Sequence, residues 1–482
     1  MEFSPLESLS PLDGRYRNLL TEMADLFSEY ALIKKRVHIE CDWLSFLIRS
    51  SFIFETLSES KNSLLEESKD INININININ TRSEKTENHE KALSFLSQLK
   101  ANFSHQDAQK IKNFEQVTQH DLKAVEYFIK HKLEQENLNN YKEWVHFGCT
   151  SEDINNLSYS LMLQEGVQWL LQKLESLLAV LQNQARQYAA VPMLSRTHGQ
   201  AATPTTLGKE FANYYARLIR QLKQLKDQEF LGKFGGAVGN FNAHTVAYPN
   251  INWPEIAERF VSSLGLVYNP LTTQIEPHDF IAELAHTLIR VNTVLLDFSK
   301  NIWGYVALNY FSQKAVDGEV GSSTMPHKIN PILFENSEGN LGLANALLSH
   351  MAEKLPISRF QRDLSDSTVL RNLGAAMGYS YLAYVSLEKG LKKLKANTEF
   401  LEAELENKYE ILTEAIQTVM RKYQLESAYE KLKDFSRGQT VTQKNIHEFI
   451  KNLELPSNIK KQLLELEPKT YLGYAKKLAE RV

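Results

Sequence analysis

The sequence predicts a nearly all-α protein whose middle part is a bundle of long helices, and three apolar stripes carry that expectation. From Leu284 the apolar positions run Leu284, Leu288, Val291, Leu295, Phe298, Ile302 and Tyr305, in steps of four and three that keep one helix face apolar. A second stripe runs Leu157, Leu161, Val167, Leu170, Leu174, Leu177 and Leu181. A third runs Leu207, Phe211, Tyr214, Leu218, Leu222 and Leu225, opened by Pro204, a residue at home near a helix start. The first two segments are each about 30 residues, roughly 45 Å if helical. Helices that long need partners along their whole length. A bundle supplies them, and an oligomeric bundle supplies them most easily. Few stretches read as hairpins.

The chain has 482 residues, more than one hydrophobic core holds, so about two to four domains are expected. Boundaries are placed to give 1–148, 149–396 and 397–482, the last built of shorter amphipathic pieces such as Tyr409 to Tyr423. Within the first part, a polar stretch near 58–90 contains five Ile-Asn repeats from Ile71 to Asn80. Strict alternation is a strand period, but Asn disfavours strands and the flanks are charged. The tract is expected to be a surface insertion, disordered or a loose ribbon, with no catalytic work.

Composition narrows the function class. A formal net charge of -4 argues against nucleic acid or an anionic membrane as main partner. Cys41 and Cys149 are too few for a disulfide framework and fit a reducing compartment. The first residues show neither a basic nor an apolar region of a secretory signal, and no apolar run approaches the roughly 18 residues of a membrane span. A cytoplasmic protein is expected. The thirteen histidines show no H-E-x-x-H spacing, so no metal is expected, and no other cofactor. Gly232 to Gly239 is glycine-rich but lacks the G-K-[ST] ending of a phosphate loop, and reads as an inter-helix loop near the site.

One segment carries more information than the rest. Gly321 to Pro331 reads Gly-Ser-Ser-Thr-Met-Pro-His-Lys-Ile-Asn-Pro. Glycines and serines make a small, adaptable loop, followed by a cation and an amide; such a loop can close over a substrate and exclude water. The bland alternative is a solvated turn. The segment also resembles the signature loop of the fumarase/aspartase superfamily, G-S-S-x-M-P-x-K-x-N-P, at all eight fixed positions. His327 in a variable position resembles the adenylosuccinate lyase branch. Five further blocks extend the resemblance: Ser10 to Tyr16, Thr272 to Asp279 and Gln361 to Arg371 resemble the same branch, Cys149 to Asn156 resembles the second block of the superfamily, and Ser195 to Gln200 the block that holds its catalytic histidine. Gln119 departs from it, because related enzymes often carry Asn before the His-Asp pair of His120 and Asp121.

The resemblance implies an all-α, three-domain fold whose long helices assemble into a tetrameric core, with active sites shared between subunits. It implies β-elimination of fumarate from adenylosuccinate to give AMP, and from SAICAR to give AICAR. A base must take a weakly acidic proton beside a carboxylate, and an acid must protonate the leaving nitrogen. By carry-over Ser322 is the base, His198 the acid, Glu276 the orienter of its imidazole, and Lys328 the cation that stabilises the alkoxide and the substrate carboxylate. A serine hydroxyl is too weak a base unless backbone N–H groups and a cation hold its alkoxide. For substrate anchoring the resemblance implies Arg15, Tyr16, Gln119, His120, Asp121, Thr150, Ser151, Gln274, Ser323, Asn330, Asn336, Arg362, Ser367 and Arg371. Guanidinium forks suit both carboxylate and phosphate. The competing readings are another fumarate-releasing lyase, such as aspartase or argininosuccinate lyase, and a catalytically inactive structural relative. Arg15, Tyr16 and His327 favour the purine enzyme, and the joint presence of Ser322, Lys328 and His198 favours activity.

Overall fold

The structure, a computed structural model, describes residues 4–50, 74–314, 318, 324–325 and 327–482. Helices dominate it, and the fold is all-α, as the stripes predict. The chain divides into two compact units: residues 1–170, 227–286 and 346–378 form the first, and residues 171–226, 287–345 and 379–482 the second.

The two longest predicted helices are Ser151–Gln187, of 37 residues, and Asp279–Ala307, of 29. In the first, Leu157, Val167, Leu170, Leu174, Leu177 and Leu181 are buried and Leu161 is half-buried. In the second the stripe is buried from Leu284 to Ile302, and Tyr305 is half-buried at its end. The third stripe lies on Leu207–Lys226 and is buried at every named position. Each such side chain contributes about 1.5–3 kcal/mol on leaving water, which is why period, more than propensity, places these helices.

In the first unit, helix Glu29–Arg49 starts at Ser28, whose side chain accepts from the Ala31 N–H at 3.2 Å. Its apolar face buries Ile33, Val37, Leu44 and Leu47. Trp43 on that face meets the Phe234 ring at 4.5 Å and Phe260 at 4.9 Å, an aromatic centre that holds the Gly232–Gly239 segment close by. Helix His105–Thr118 opens with a capping box of Ser104 and Asp107, and helix Asp121–Gln135 follows after a short break. In the second unit Phe298 packs against Tyr214 at 4.8 Å and Phe211 at 5.9 Å. The C-terminal helices close a separate apolar cluster around Leu405, Leu412, Ile416, Met420, Ile446 and Ile450.

Strands are limited, among the described residues, to short pairs. Pro192–Met193 pairs with Thr205–Thr206, Arg196–Thr197 with Gln200–Ala201, and Phe311–Gln313 with Leu394–Ala396, all antiparallel; Leu231–Gly232 pairs in parallel with Val267–Tyr268. No helix among the described residues is long and apolar enough to cross a membrane.

The Ile-Asn tract differs from expectation where it is described. The backbone is helical from Asn74 and continues to Ala101, so this part is not a ribbon. Alternating Ile and Asn offers no helical apolar face. The helix there extends one that is anchored further on by Ala92, Leu96 and Leu99, all buried, and extending a helix costs far less than starting one. Ile71 to Ile73 lie outside the described residues.

Candidate active site

In the first unit, residues far apart in sequence converge on two carboxylates. Asp121 opens helix Asp121–Gln135, and its Oδ2 accepts from Arg36 Nη2 at 2.8 Å and Arg371 Nη2 at 3.2 Å. Arg371 also donates to Glu29 Oε2 at 2.8 Å, and Arg36 Nε to Asn155 Oδ1 at 2.9 Å. Burial opposes ionisation of Asp121, but the two guanidiniums outweigh it and hold its carboxyl below the usual range. Glu152 Oε1 stands 3.1 Å from Arg362 Nη2, and the same guanidinium donates to Gln274 Oε1 at 3.4 Å and Ser367 Oγ at 3.2 Å. Four of the expected site residues, Gln274, Arg362, Ser367 and Arg371, thus fall on loops or helix ends joined through Asp121, itself expected at the site, and Glu152, which the sequence reading did not single out.

Around this cluster stand further expected residues. His120 is the N-cap of helix Asp121–Gln135: its Nδ1 accepts from the Lys123 N–H at 3.1 Å, which leaves Nε2 to carry the proton of a neutral ring. Gln119 closes the preceding helix with φ +53, a left-handed conformation, and its side chain folds back onto the Gln116 carbonyl at 2.7 Å. Asn tolerates this conformation better than Gln. Gln119→Asn is therefore expected to stabilise the protein by about 0.5–1 kcal/mol, seen as a higher thermal midpoint; a lower midpoint would refute the argument. Arg15 is exposed, with its guanidinium 5.9 Å from the centre of the half-buried Tyr16 ring. Next to them, Ser10, Asp13, Arg17 and Arg371 help line a cavity of about 330 Å³.

Thr150 and Ser151 begin helix Ser151–Gln187, and the residue that shapes this start is Asp153. Its Oδ2 accepts from the Thr150 N–H at 2.8 Å, and its Oδ1 from the Gly235 N–H at 2.8 Å. Lys233 Nζ lies 2.7 Å from the same Oδ1, and both side chains are almost wholly buried. The glycine-rich segment is thereby tied to the start of the helix. Glu276 is also buried: Asn269 Nδ2 donates to its Oε1 at 3.0 Å, and the His278 N–H to its Oε2 at 2.7 Å. Burial pushes the Glu276 carboxyl above its ordinary value against these contacts.

In the second unit, His198 and Gly199 form the two-residue tip of the Arg196–Ala201 hairpin, with φ +53 and +75. Positive φ at both positions is the type I′ turn that the right-handed twist of a tight hairpin requires, so glycine after His198 has a backbone reason. The tip is exposed, and the hairpin base is held by Arg196, which pairs with Glu404 and donates to Tyr310 Oη at 3.3 Å. Lys328 is exposed and Asn330 half-buried, while Gln313 Nε2 donates to the Ile329 carbonyl at 3.0 Å. Asn336 Oδ1 accepts from Ser386 Oγ at 2.7 Å. Ser322 and Ser323 lie outside the described residues. Among the described residues no group of three or more His, Cys, Asp or Glu is placed to hold a metal ion.

Comparison with solved structures shows the fold. A fumarate lyase from Mesorhizobium sp. BNC1 superposes with a TM-score of 0.72 at 16% identity, covering 96% of this chain and 97% of that one. The 3-carboxy-cis,cis-muconate lactonizing enzyme from Pseudomonas putida superposes with a TM-score of 0.70 at 19% identity, covering 96% of each chain. The fold is the all-α fold of the fumarase/aspartase superfamily, and the protein is an enzyme, a lyase. Residues 53–345 match the family model described as Lyase, and residues 358–472 the one described as Adenylosuccinate lyase C-terminal. Adenylosuccinate lyases from Haemophilus influenzae and Escherichia coli (strain K12) are 49% and 48% identical, aligned over 100% and 98% of each chain. This chain belongs to the adenylosuccinate lyase family.

Proposed function

We propose that the protein eliminates fumarate from adenylosuccinate, releasing AMP, and from SAICAR, releasing AICAR. The observation that carries this reading is full-length similarity to adenylosuccinate lyases, and it is supported by Gln274, Arg362, Ser367 and Arg371, expected as anchors, gathering in one unit around Glu152 and Asp121. Two guanidiniums with hydroxyl and amide neighbours suit a substrate bearing two carboxylates and a phosphate. In this reading a substrate carboxylate takes over contacts that Glu29 and Glu152 make to these arginines.

Ser322 takes the proton from the carbon beside the substrate carboxylate, and Lys328 with the loop's backbone N–H groups stabilises its alkoxide. His198 gives a proton to the leaving nitrogen as the C–N bond breaks, and Glu276 orients its ring. Arg15 and Tyr16 hold the nucleotide end, with Gln119, His120, Asp121, Thr150, Ser151, Ser323, Asn330 and Asn336 completing the contacts. We take the protein to be a cytoplasmic homotetramer, of three domains per chain, whose sites draw residues from more than one subunit. An exposed hairpin tip carrying His198 supports such sharing.

The ultraviolet change on adding adenylosuccinate tests the substrate. Turnover of adenylosuccinate but not of aspartate or argininosuccinate is expected. Turnover of aspartate alone would replace this reading with that of another fumarate-releasing lyase.

A further inference from the structure

His278 lies between the two turns that carry the arginine-anchoring residues, and nothing in the proposed reaction uses it. Its backbone has φ +66, left-handed for a non-glycine residue, and its side chain is 3% exposed. Nδ1 lies 3.9 Å from Glu276 Oε2, and Nε2 lies 3.6 Å from Asp366 Oδ2. Both carboxylates are buried, and Asp366 Oδ2 and His278 Nε2 make no hydrogen bond of ordinary length.

That arrangement limits the proton count. A neutral imidazole has one N–H and one lone pair. With a carboxylate facing each ring nitrogen, a neutral ring must turn its lone pair toward one anion. Either the ring takes a second proton, or one carboxyl keeps its own. Both states carry the same total charge: ionised Glu276, imidazolium and ionised Asp366 sum to about -1, as do protonated Glu276, neutral ring and ionised Asp366. The two states differ only in which group of the set holds the proton. The other charged groups facing the set are Arg362, which favours ionised Asp366, and Asp279, which disfavours ionised Glu276; Glu152 stands behind Arg362.

We infer that Glu276, His278 and Asp366 form a proton-sharing set, in which His278 is a positioning residue for the reaction. Its ring sits between the turn of Gln274 and Glu276 and the turn of Arg362 and Ser367, and it governs the charge that Glu276 carries. Burial raises the Glu276 carboxyl, so without a neighbouring proton carrier Glu276 would hold its own proton to a higher pH. At Asp366 burial acts in the same sense, but the His278 contact and Arg362 outweigh it and keep that carboxyl low. The inference rests on the proposed role of Glu276 as orienter of His198.

The test is the pH profile of kcat/KM, with thermal midpoints, for full-length Glu276→Gln, His278→Gln and Asp366→Asn proteins. In His278→Gln the acidic limb is expected to move up by about one pH unit, since ionised Glu276 loses its proton-sharing partner. In Asp366→Asn the limb is expected to move down by about one unit, because the second anion that raises the proton affinity of the set is gone. A purely structural role would lower activity by one factor at every pH and would not produce shifts of opposite sign. If His278→Gln does not fold, His278→Asn replaces it, since Asn accepts positive φ more readily. Unmoved limbs in both variants, or shifts of the same sign, overturn the inference. Full activity of Glu276→Gln overturns instead the role of Glu276 on which it rests, and with it the inference.

Discussion

Asp153→Asn is expected to cost about 3–5 kcal/mol of stability, the loss that follows when one member of a buried ion pair is removed. Lys233 and Asp153 are both fully buried, with Nζ 2.7 Å from Oδ1. Asn keeps the shape of Asp but loses the charge and one acceptor oxygen. The ammonium of Lys233 then keeps the Gly236 carbonyl, at 2.7 Å, but no longer has an anion to compensate its buried charge. The amide group of Asn also points a donor at N–H groups of Thr150 or Gly235, which now meet Asp153 oxygens at 2.8 Å. Urea unfolding at fixed protein concentration measures the loss. The sharper measurement is the cycle with Lys233→Met. Removing both charges is expected to cost less than the sum of the single changes, by more than about 1 kcal/mol. Simple additivity would show that the two charges do not depend on each other. Thr150 and Ser151 sit where the disruption falls, so KM is expected to rise in any variant that still folds.

The largest effect on rate is expected at the two groups proposed to move protons. Ser322→Ala and His198→Ala should each lower kcat by about 10²–10⁴-fold, the range for loss of a positioned acid or base, with the thermal midpoint little changed. Little change is expected for His198 because its ring is exposed at a hairpin tip. If sites are shared between subunits, mixing and reassembling the two inactive proteins restores activity, since some sites then receive both intact groups. No recovery despite proven subunit exchange would refute sharing. A His198→Ala protein that keeps its rate would remove His198 from the chemistry.

The fold was readable because helix period is a local signal. Leu284 to Ile302 and Leu207 to Leu225 announce their buried faces in sequence order, and the structure buries them. Tyr305 and Leu161 depart only by being half-buried. The Ile-Asn tract misled for the same reason: its local period is that of a strand, while the helix over Asn74–Ala101 is fixed by packing beyond the tract. The candidate site was suggested by motifs and not by contacts. Arg362 and Arg371 were expected to anchor substrate, but Glu152 and Asp121, which hold them, are distant in the chain. Asp153 meets Gly235 across 82 residues, and no pattern within either segment announces it. Some hints were present. Arg36 and Glu40 are charged residues one turn apart on the otherwise apolar face of Glu29–Arg49. Lys233 is a lone cation between a glycine and a phenylalanine in an uncharged loop.

The division of the chain also has a consequence for its synthesis. The first unit needs residues 346–378, so it cannot finish folding as soon as its first 170 residues leave the ribosome. At about 5–20 residues per second, roughly 10–40 s then pass before its last segment is made. During that time Asp121, Glu152 and Asp366 are not yet all joined to their arginine and histidine partners, and the apolar face of Glu29–Arg49 waits for Phe234 and Phe260. A nascent chain of this kind depends on protection from aggregation until residue 378 has been translated.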